Sequence, residues 1–444
     1  MAEEPGRRTA GVLTVAGSGD ERTELRLIGS FEDGPVMRRN VEYSLVHGVV
    51  KQRLVTLAHL QETNAQISIP GYSSQTLMPH TAFFGGHLHT PNPDVTGAWL
   101  RLSYLPEWVG AAGIAVHGDG RSASAAFTAP DDIACGLRWG ALTIRTRAGT
   151  AQTRHRSATV ETWCTVELRF TDPTQFTAVV EEYTAALQNL LTLAAGTANA
   201  VVWLEVEPAE GELVTSQPGG VLDVTYDPQF RLAEPPPRIH PQSFLFRASD
   251  VGDRMCEAFA AWFDITRELD AVLDLHFSTR YAERLFLETR FLNAAQAAEV
   301  YHHRRFVSEI LPKVEHRARV KAVAEAAPKG LRKWAKEVLS YSNEKRFAER
   351  LHELIGREGG VMDPLVEDRD EFVRTVVRIR NHFTHWTPRD NSPRPDNELV
   401  LRTAQRLDVL LQSALLGEMG FTIDERVLRF SENRTYMWLK AGAP

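Results

Sequence analysis

The segment Arg378-Ile379-Arg380-Asn381-His382-Phe383-Thr384-His385-Trp386-Thr387-Pro388 gathers the groups that phosphodiester cleavage without a metal requires. Cutting RNA in this way needs three things. The 2′-hydroxyl must lose a proton as it attacks phosphorus, the leaving 5′-oxygen must gain one, and the charge building on the phosphate oxygens must be held. Histidine titrates near neutral pH and serves either proton transfer. A guanidinium binds two phosphate oxygens at once. Asn381 supplies an amide that can orient the histidine or donate to the phosphate. Asn381 and His385 are four apart and so share a helix face, and Arg380 lies one position around it. The same residue types also occur at helix ends simply as caps and dipole partners, so the segment alone leaves both readings open.

A helix has to present these groups. Pro388 stops it near Trp386 or Thr387, which puts His385 in the last turn, where the helix dipole favours an imidazolium. Periodic apolar residues predict further helices around it. They cover about 250–276, 279–311 (Leu285, Phe286, Leu287, Phe291, Leu292, Val300), 313–326, 330–356, 364–386 and 396–418, and Phe421–Leu439 closes the chain. Antiparallel neighbours joined by short loops make an all-α bundle over 250–444.

The chain before it has another texture. Gly11–Val15, Thr23–Leu27 and Ala141–Arg145 are short β-branched or aromatic runs, and Thr159–Leu168 alternates over nearly its whole length. Gly, Asp and Pro clusters separate them, which predicts antiparallel, half-buried strands. One helix is expected at Thr174–Ala195, with Phe176, Val179, Val180, Tyr183, Leu187, Leu190 and Leu191 spaced by threes and fours after Asp172-Pro173. The run Glu234-Pro235-Pro236-Pro237-Arg238 is held extended by its prolines. The expected organisation is therefore an α+β multidomain chain: a β-rich antiparallel domain at 1–233, a proline-containing linker at 234–249, and a helical bundle at 250–444.

At 444 residues the chain is too long for one compact core, and 43% hydrophobic with 24% charged is ordinary for a folded soluble protein. No run reaches the roughly 18 apolar residues of a membrane span, and Met1–Thr9 is polar with no signal core behind it, so no membrane association is expected. The net charge of −7 gives no global sign of a nucleic-acid partner, but it is unevenly shared. Residues 245–444 hold 32 Lys+Arg against 31 Asp+Glu, and the remainder 18 against 26, which suggests two domains with different work. Cys135, Cys164 and Cys256 are far apart and odd in number, suggesting neither a disulfide framework nor a zinc site and suiting a reducing cytoplasm.

Other constellations each carry a plainer alternative. Glu299 suits a carboxylate that orients Arg380 or His385 from behind, or equally a solvated acid paired with a nearby arginine. Lys313–Glu337 holds eight basic residues against three acidic ones. Arg332, Lys333 and Lys336, with Arg378 beside the motif, could neutralise RNA phosphates while Trp334 stacks on a base, although charge runs are commonly just solvated faces. His87-Leu88-His89 has the spacing of paired metal ligands on a strand, but no further ligand follows at a recognisable spacing. His382 and His385 lack carboxylate partners for a metal. There is no GxxxxGK[ST] loop. No metal or cofactor is expected.

Arg380-Asn381-His382-Phe383-Thr384-His385 resembles the signature of the HEPN superfamily (Arg, a polar residue, three to five others, then His, on a helical bundle) at its shortest spacing. Phe291-Leu292-Asn293-Ala294-Ala295-Gln296-Ala297-Ala298-Glu299-Val300-Tyr301-His302-His303-Arg304 is similar to the stretch upstream of that signature in ApeA-like HEPN proteins. Val46-His47-Gly48 to Val55-Thr56-Leu57, and Leu102 to Trp108, are similar to the ApeA N-terminal domain. The resemblance covers most of the chain, with its most specific residues at the C-terminal end. It implies a cytoplasmic anti-phage, abortive-infection endoribonuclease whose HEPN toxin cuts RNA, with tRNA the proposed target. It also implies a homodimer through the HEPN domain and an N-terminal domain that restrains the toxin or senses a phage-derived trigger. Arg380 and His385 would be catalytic with Asn381 supporting. His382, a second histidine inside the motif, leaves the histidine's role open between the two. The competing reading is a non-catalytic HEPN-like bundle that only binds RNA or dimerises.

Overall fold

A computed structural model of the chain describes residues 8–15, 22–31, 41–66, 73–110, 114–120, 122–154, 157–226, 237–282, 284–384 and 394–442. The chain divides into two compact units, Met1–Cys256 and Glu257–Pro444. The expected α+β organisation is found, with an antiparallel β-rich first part and a helical second part.

The strands of the first unit are β1 (Gly11–Thr14), β2 (Glu24–Ile28), β3 (Glu42–Val50), β4 (Arg53–Gln66), β5 (Ser74–Phe84), β6 (Gly86–Leu88), β7 (Asp94–Leu102), β8 (Ala115–Gly118), β9 (Ala123–Ala126), β10 (Ile133–Leu137), β11 (Gly140–Arg154), β12 (Ser157–Gln175), β13 (Val201–Pro208), β14 (Leu213–Ser216) and β15 (Leu222–Tyr226). Eleven of them form one antiparallel sheet in the order β1-β2-β5-β15-β13-β7-β12-β11-β10, with the β3–β4 hairpin attached to β5 through β4. The alternation read in the sequence sets its buried face. Leu142, Leu168, Ala98 and Val206 stand opposite one another across β11, β12, β7 and β13, as do Ile144, Val166, Leu100 and Leu204.

Short helix α1 (Leu105–Val109) follows β7, and the helix expected at 174–195 runs as α2 (Phe176–Ala178), a π-helical stretch Val179–Thr184, and α3 (Ala185–Ala195). Phe176 meets Phe83 of β5 edge-on at 4.9 Å, and Tyr183 meets Trp139 at 4.8 Å, so this helix covers the apolar face. The β3–β4 turn takes φ of 49° at Lys51 and 66° at Gln52, the left-handed pair that a two-residue hairpin favours, here without glycine. At Gly140 glycine is required. Its φ is 151°, and a Cβ there would overlap the Arg169 carbonyl.

One reading changes in this unit. Cys135 of β10 and Cys256 form a disulfide with a Cα–Cα separation of 5.0 Å, while Cys164 is free and buried. The pair is 121 residues apart in sequence, so spacing could not reveal it, and the cysteine count loses its bearing on compartment. Within the proline run, residues 234–236 fall outside the described residues; Tyr104 donates its hydroxyl to the Pro237 carbonyl at 3.0 Å.

The helices continue as α4 (Ala248–Val251), α5 (Met255–Glu268), α6 (Asp270–Tyr281), α7 (Leu287–Arg305), α8 (Lys313–Ala326), α9 (Arg332–Leu339), α10 (Phe347–Arg357), α11 (Gly359–Met362), α12 (Arg369–Thr384), α13 (Asn397–Glu418), α14 (Ile423–Glu432) and α15 (Arg434–Lys440). Several are shorter than the periodicity predicts. The 250–276 helix breaks at Gly252, whose φ is 58°, and again at Leu269. The 330–356 helix is interrupted where Asn343 bonds both the amide and the carbonyl of Leu311. The 364–386 helix begins only at Arg369, because Asp368 accepts from the amide of Glu371 and so acts as a cap. No helix among the described residues is long and apolar enough to cross a membrane.

In the second unit α7 is central and packs on α6, α10, α12 and α13. Its buried face is Phe291 followed by Ala294, Ala295, Ala297 and Ala298, small side chains that allow neighbouring helices to approach closely. Helix α12 buries Phe372, Val376 and Ile379, spaced by four and three. That stripe fixes the helix's rotation and leaves Arg380 at its border, half-buried.

Candidate active site

Arg380 sits on the last described turn but one of α12, and two other helices hold its guanidinium. Its Nη2 donates to Glu299 Oε2 of α7 at 2.7 Å. The guanidinium carbon also lies over the ring of Phe347, the first residue of α10, 4.7 Å from its centroid. Phe347 is buried, and α10 is fixed just there by Glu349, which accepts from the amide of Arg346 at 2.6 Å. Three helices thus converge on one cation whose side chain keeps 29% of its surface. Among the described residues, Nε and Nη1 of Arg380 have no hydrogen-bond partner and face no second carboxylate. A charged fork with one edge anchored can hold a phosphate on the other.

The end of α12 is pinned separately. Phe383 meets Phe291 of α7 edge-on at 6.2 Å, and His382 lies against Phe383 at 5.4 Å, half-buried. Thr384 returns its hydroxyl to the Arg380 carbonyl at 2.8 Å. Asn381 is exposed at the helix surface. His385, with Trp386, Thr387 and Pro388, lies outside the described residues.

One turn beyond Glu299 on α7, His302 is fully buried. Its Nε2 is 2.9 Å from Glu353 Oε2, and its Nδ1 has no partner among the described residues. Burial pushes the imidazole below its ordinary pKa, against the pull of Glu353. A neutral ring donating Nε2–H fits both facts, an assignment made from the contacts. Glu353 also accepts from Lys345 Nζ at 2.7 Å and Arg357 at 3.3 Å. Lys345 and His302 together pull its carboxyl down to about 2. Lys345 and Phe347 are two residues apart, so this network braces the entry to α10 that supports Arg380.

The structure therefore brings Arg380 and Glu299 together as the spacing allowed, and it adds Phe347 and the His302–Glu353–Lys345 network, which sequence reasoning missed. Phe347 carries no signal in its residue type or spacing. His302 falls in the stretch that carries the family resemblance, but nothing local marks Glu353 as its partner.

The residues expected to meet RNA are dispersed. Arg378 is exposed on α12. Arg332 is exposed but tied to nearby backbone, donating to the carbonyls of Ala327 and Glu325. Lys333 lies 3.9 Å from Glu337, and Lys336 is exposed. In the first unit the His87 ring is 3.0 Å from the Gly48 carbonyl and stacks on His47, with centroids 4.5 Å apart. His47 in turn reaches the Leu88 carbonyl at 2.9 Å, so these rings clasp β3 to β6.

Residues 2–262 match the family model for ApeA N-terminal domain 1, and residues 292–425 match that for Apea-like HEPN. The chain belongs to the ApeA-like HEPN family. This places it with proteins of anti-phage-defence type, whose HEPN domains are generally nuclease-like and commonly bind RNA and dimerise. No curated protein and no solved structure gave a match.

Proposed function

We propose that this ApeA-like HEPN protein is an endoribonuclease of abortive anti-phage infection, cutting RNA without a metal. The observation that best supports this reading is Arg380 itself. The arginine of the family signature is braced by Glu299 and Phe347 from two other helices, with part of its fork left for a phosphate.

In the proposed reaction the 2′-oxygen attacks the adjacent phosphorus while its proton passes to a base. The bond to the 5′-oxygen breaks and that oxygen takes a proton from an acid. The products are a 2′,3′-cyclic phosphate and a 5′-hydroxyl, and no further reactant is consumed. Arg380 holds the non-bridging oxygens as charge builds there. Asn381 orients the phosphate or the imidazole, and His385 performs one of the two proton transfers. A second copy of the motif, brought up in a homodimer, supplies the other imidazole. Exposed Arg378 and Lys336 offer charge for flanking phosphates. Transfer RNA is the proposed substrate, and the N-terminal domain is proposed to restrain the toxin until it meets a phage-derived trigger in the cytoplasm.

One observation favours the alternative, a bundle that binds RNA or dimerises without cutting it: Glu299 already neutralises Arg380. Induced expression during phage infection separates the two. The ribonuclease reading expects growth arrest with RNA fragments ending in 2′,3′-cyclic phosphate, lost in His385→Ala. Arrest that persists in His385→Ala, or fragments with 5′-phosphates, would count against it.

A further inference from the structure

Eight of the 21 large hydrophobic side chains exposed among the described residues fall in the 35 residues from 307 to 341. A concentration of that kind marks an interaction surface rather than ordinary scatter. The segment is a projection. Residues 308–311 and 342–345 form a neck, closed by backbone bonds from Ile310 to Asn343 and from Lys345 to Ser308, and by the two bonds of Asn343 to Leu311. Beyond the neck α8 and α9 pack mainly on one another, and the buried residues of the two helices are only His316, Ala324 and Ala335. So thin a core leaves α9 with a second, uncovered apolar stripe. Trp334 and Val338, four apart on α9, are 60% and 53% exposed, and Leu331 just before the helix and Tyr341 just after it, 50% and 79% exposed, extend this apolar surface at each end.

Charge indicates the occupant. Lys333 and Glu337 sit four apart on one flank of the stripe, 3.9 Å from each other. In an antiparallel pairing of two copies of α9 about an axis near its middle, Lys333 of each copy falls opposite Glu337 of the other. The flank is thus self-complementary, as flanking charges are in helix pairs. The excess basic residues, Arg332 and Lys336, lie around the other side of α9 and stay in water. A polyanion would leave the aliphatic part of the stripe unexplained.

We propose that the α8–α9 hairpin is a dimerisation arm, pairing α9 antiparallel with α9 of a second copy around Trp334. The neck returns directly into Lys345 and Phe347, the residues that brace Glu353 and Arg380. The pairing therefore approaches each motif along its own supporting chain. The functional consequence rests on the two-motif ribonuclease reading above; the pairing itself does not.

Sedimentation equilibrium of the full-length protein, without RNA, tests the pairing apart from any cleavage. The wild type should be a dimer, and Trp334→Glu should raise the dimer dissociation constant at least about a hundredfold, as expected of a central aromatic anchor. Lys333→Glu and Glu337→Lys should each weaken the dimer several-fold. The double variant, which restores opposite charges, should recover it, and an equimolar mixture of the two single variants should form a heterodimer. All these residues are exposed, so the circular dichroism of each variant should match the wild type. A monomeric wild type would overturn the proposal. So would a dimer indifferent to Trp334→Glu, or charge variants that weaken binding of a fluorescein-labelled RNA stem-loop while leaving the dimer unchanged.

Discussion

Glu299 of α7 holds Arg380 of α12 at 2.7 Å across 81 residues of sequence, and this contact turns an arginine at a helix end into a positioned one. Glu299→Ala should lower kcat on RNA about ten- to a hundredfold with less change in KM, because the guanidinium is misplaced rather than removed. Glu299→Gln keeps an acceptor and should recover part of that loss. A variant faster than wild type would show instead that Glu299 is an inhibitory clamp.

Phe347 acts on the same guanidinium through its ring face. Phe347→Ala opens a cavity at a buried position and should destabilise the protein by about 3 kcal/mol in urea unfolding. Phe347→Leu fills most of the space without a π face. It should stay near wild-type stability yet lose several-fold in kcat, which separates support of Arg380 from support of the fold. Equal activity of Phe347→Leu and wild type would remove the ring from the site.

His276 of α6 is buried against Asp408 of α13, with Nδ1 3.2 Å from the carboxylate and Arg280 on the same acid. Burial, the main cause, and Arg280 push its pKa down to about 4, against the pull of Asp408. The unfolded chain, with an ordinary value of 6.5, takes up the proton first as pH falls. The neutral ring's contribution is therefore complete above pH 6.5 and is lost as pH drops towards 4, by up to about 3 kcal/mol. Urea midpoints taken between those values should fall less steeply in His276→Gln than in wild type. Parallel curves would mean that the ring is charged in the fold.

The Cys135–Cys256 disulfide gives a simple count. Protein purified without reductant and then denatured should show one free thiol, that of Cys164, and three after reduction. Three thiols before reduction would contradict the pairing. If the bond is present, its reduction should lower stability by several kcal/mol, given the 121 residues that separate the cysteines.

The two-part fold was legible because its two periodicities differ. Thr159–Leu168 alternates as a half-buried strand must, and Phe372, Val376 and Ile379 recur as a helix must. Helix boundaries were less legible because they depend on single polar contacts. Asp368 capping Glu371 and Asn343 gripping Leu311 start or interrupt helices that periodicity alone would have run through. In the candidate site, Arg380, Asn381 and His385 stood out as candidates because their chemistry is specific and their spacing local, and of these His385 lies outside the described residues. The partners of Arg380 are 81 and 33 residues away, and a phenylalanine at a helix start looks like any core residue. The disulfide was hidden for the same reason.

The central claim, that the Arg380–His385 motif cuts RNA, is tested most directly by incubating total bacterial RNA with purified full-length protein in EDTA, with and without phage lysate. Wild type, Arg380→Ala and His385→Ala should be compared at matched concentration. Wild type should give discrete fragments that are lost in both variants, a drop in rate of at least about a hundredfold. Equal cutting by all three would contradict the site, and no cutting by wild type even with lysate would contradict the activity.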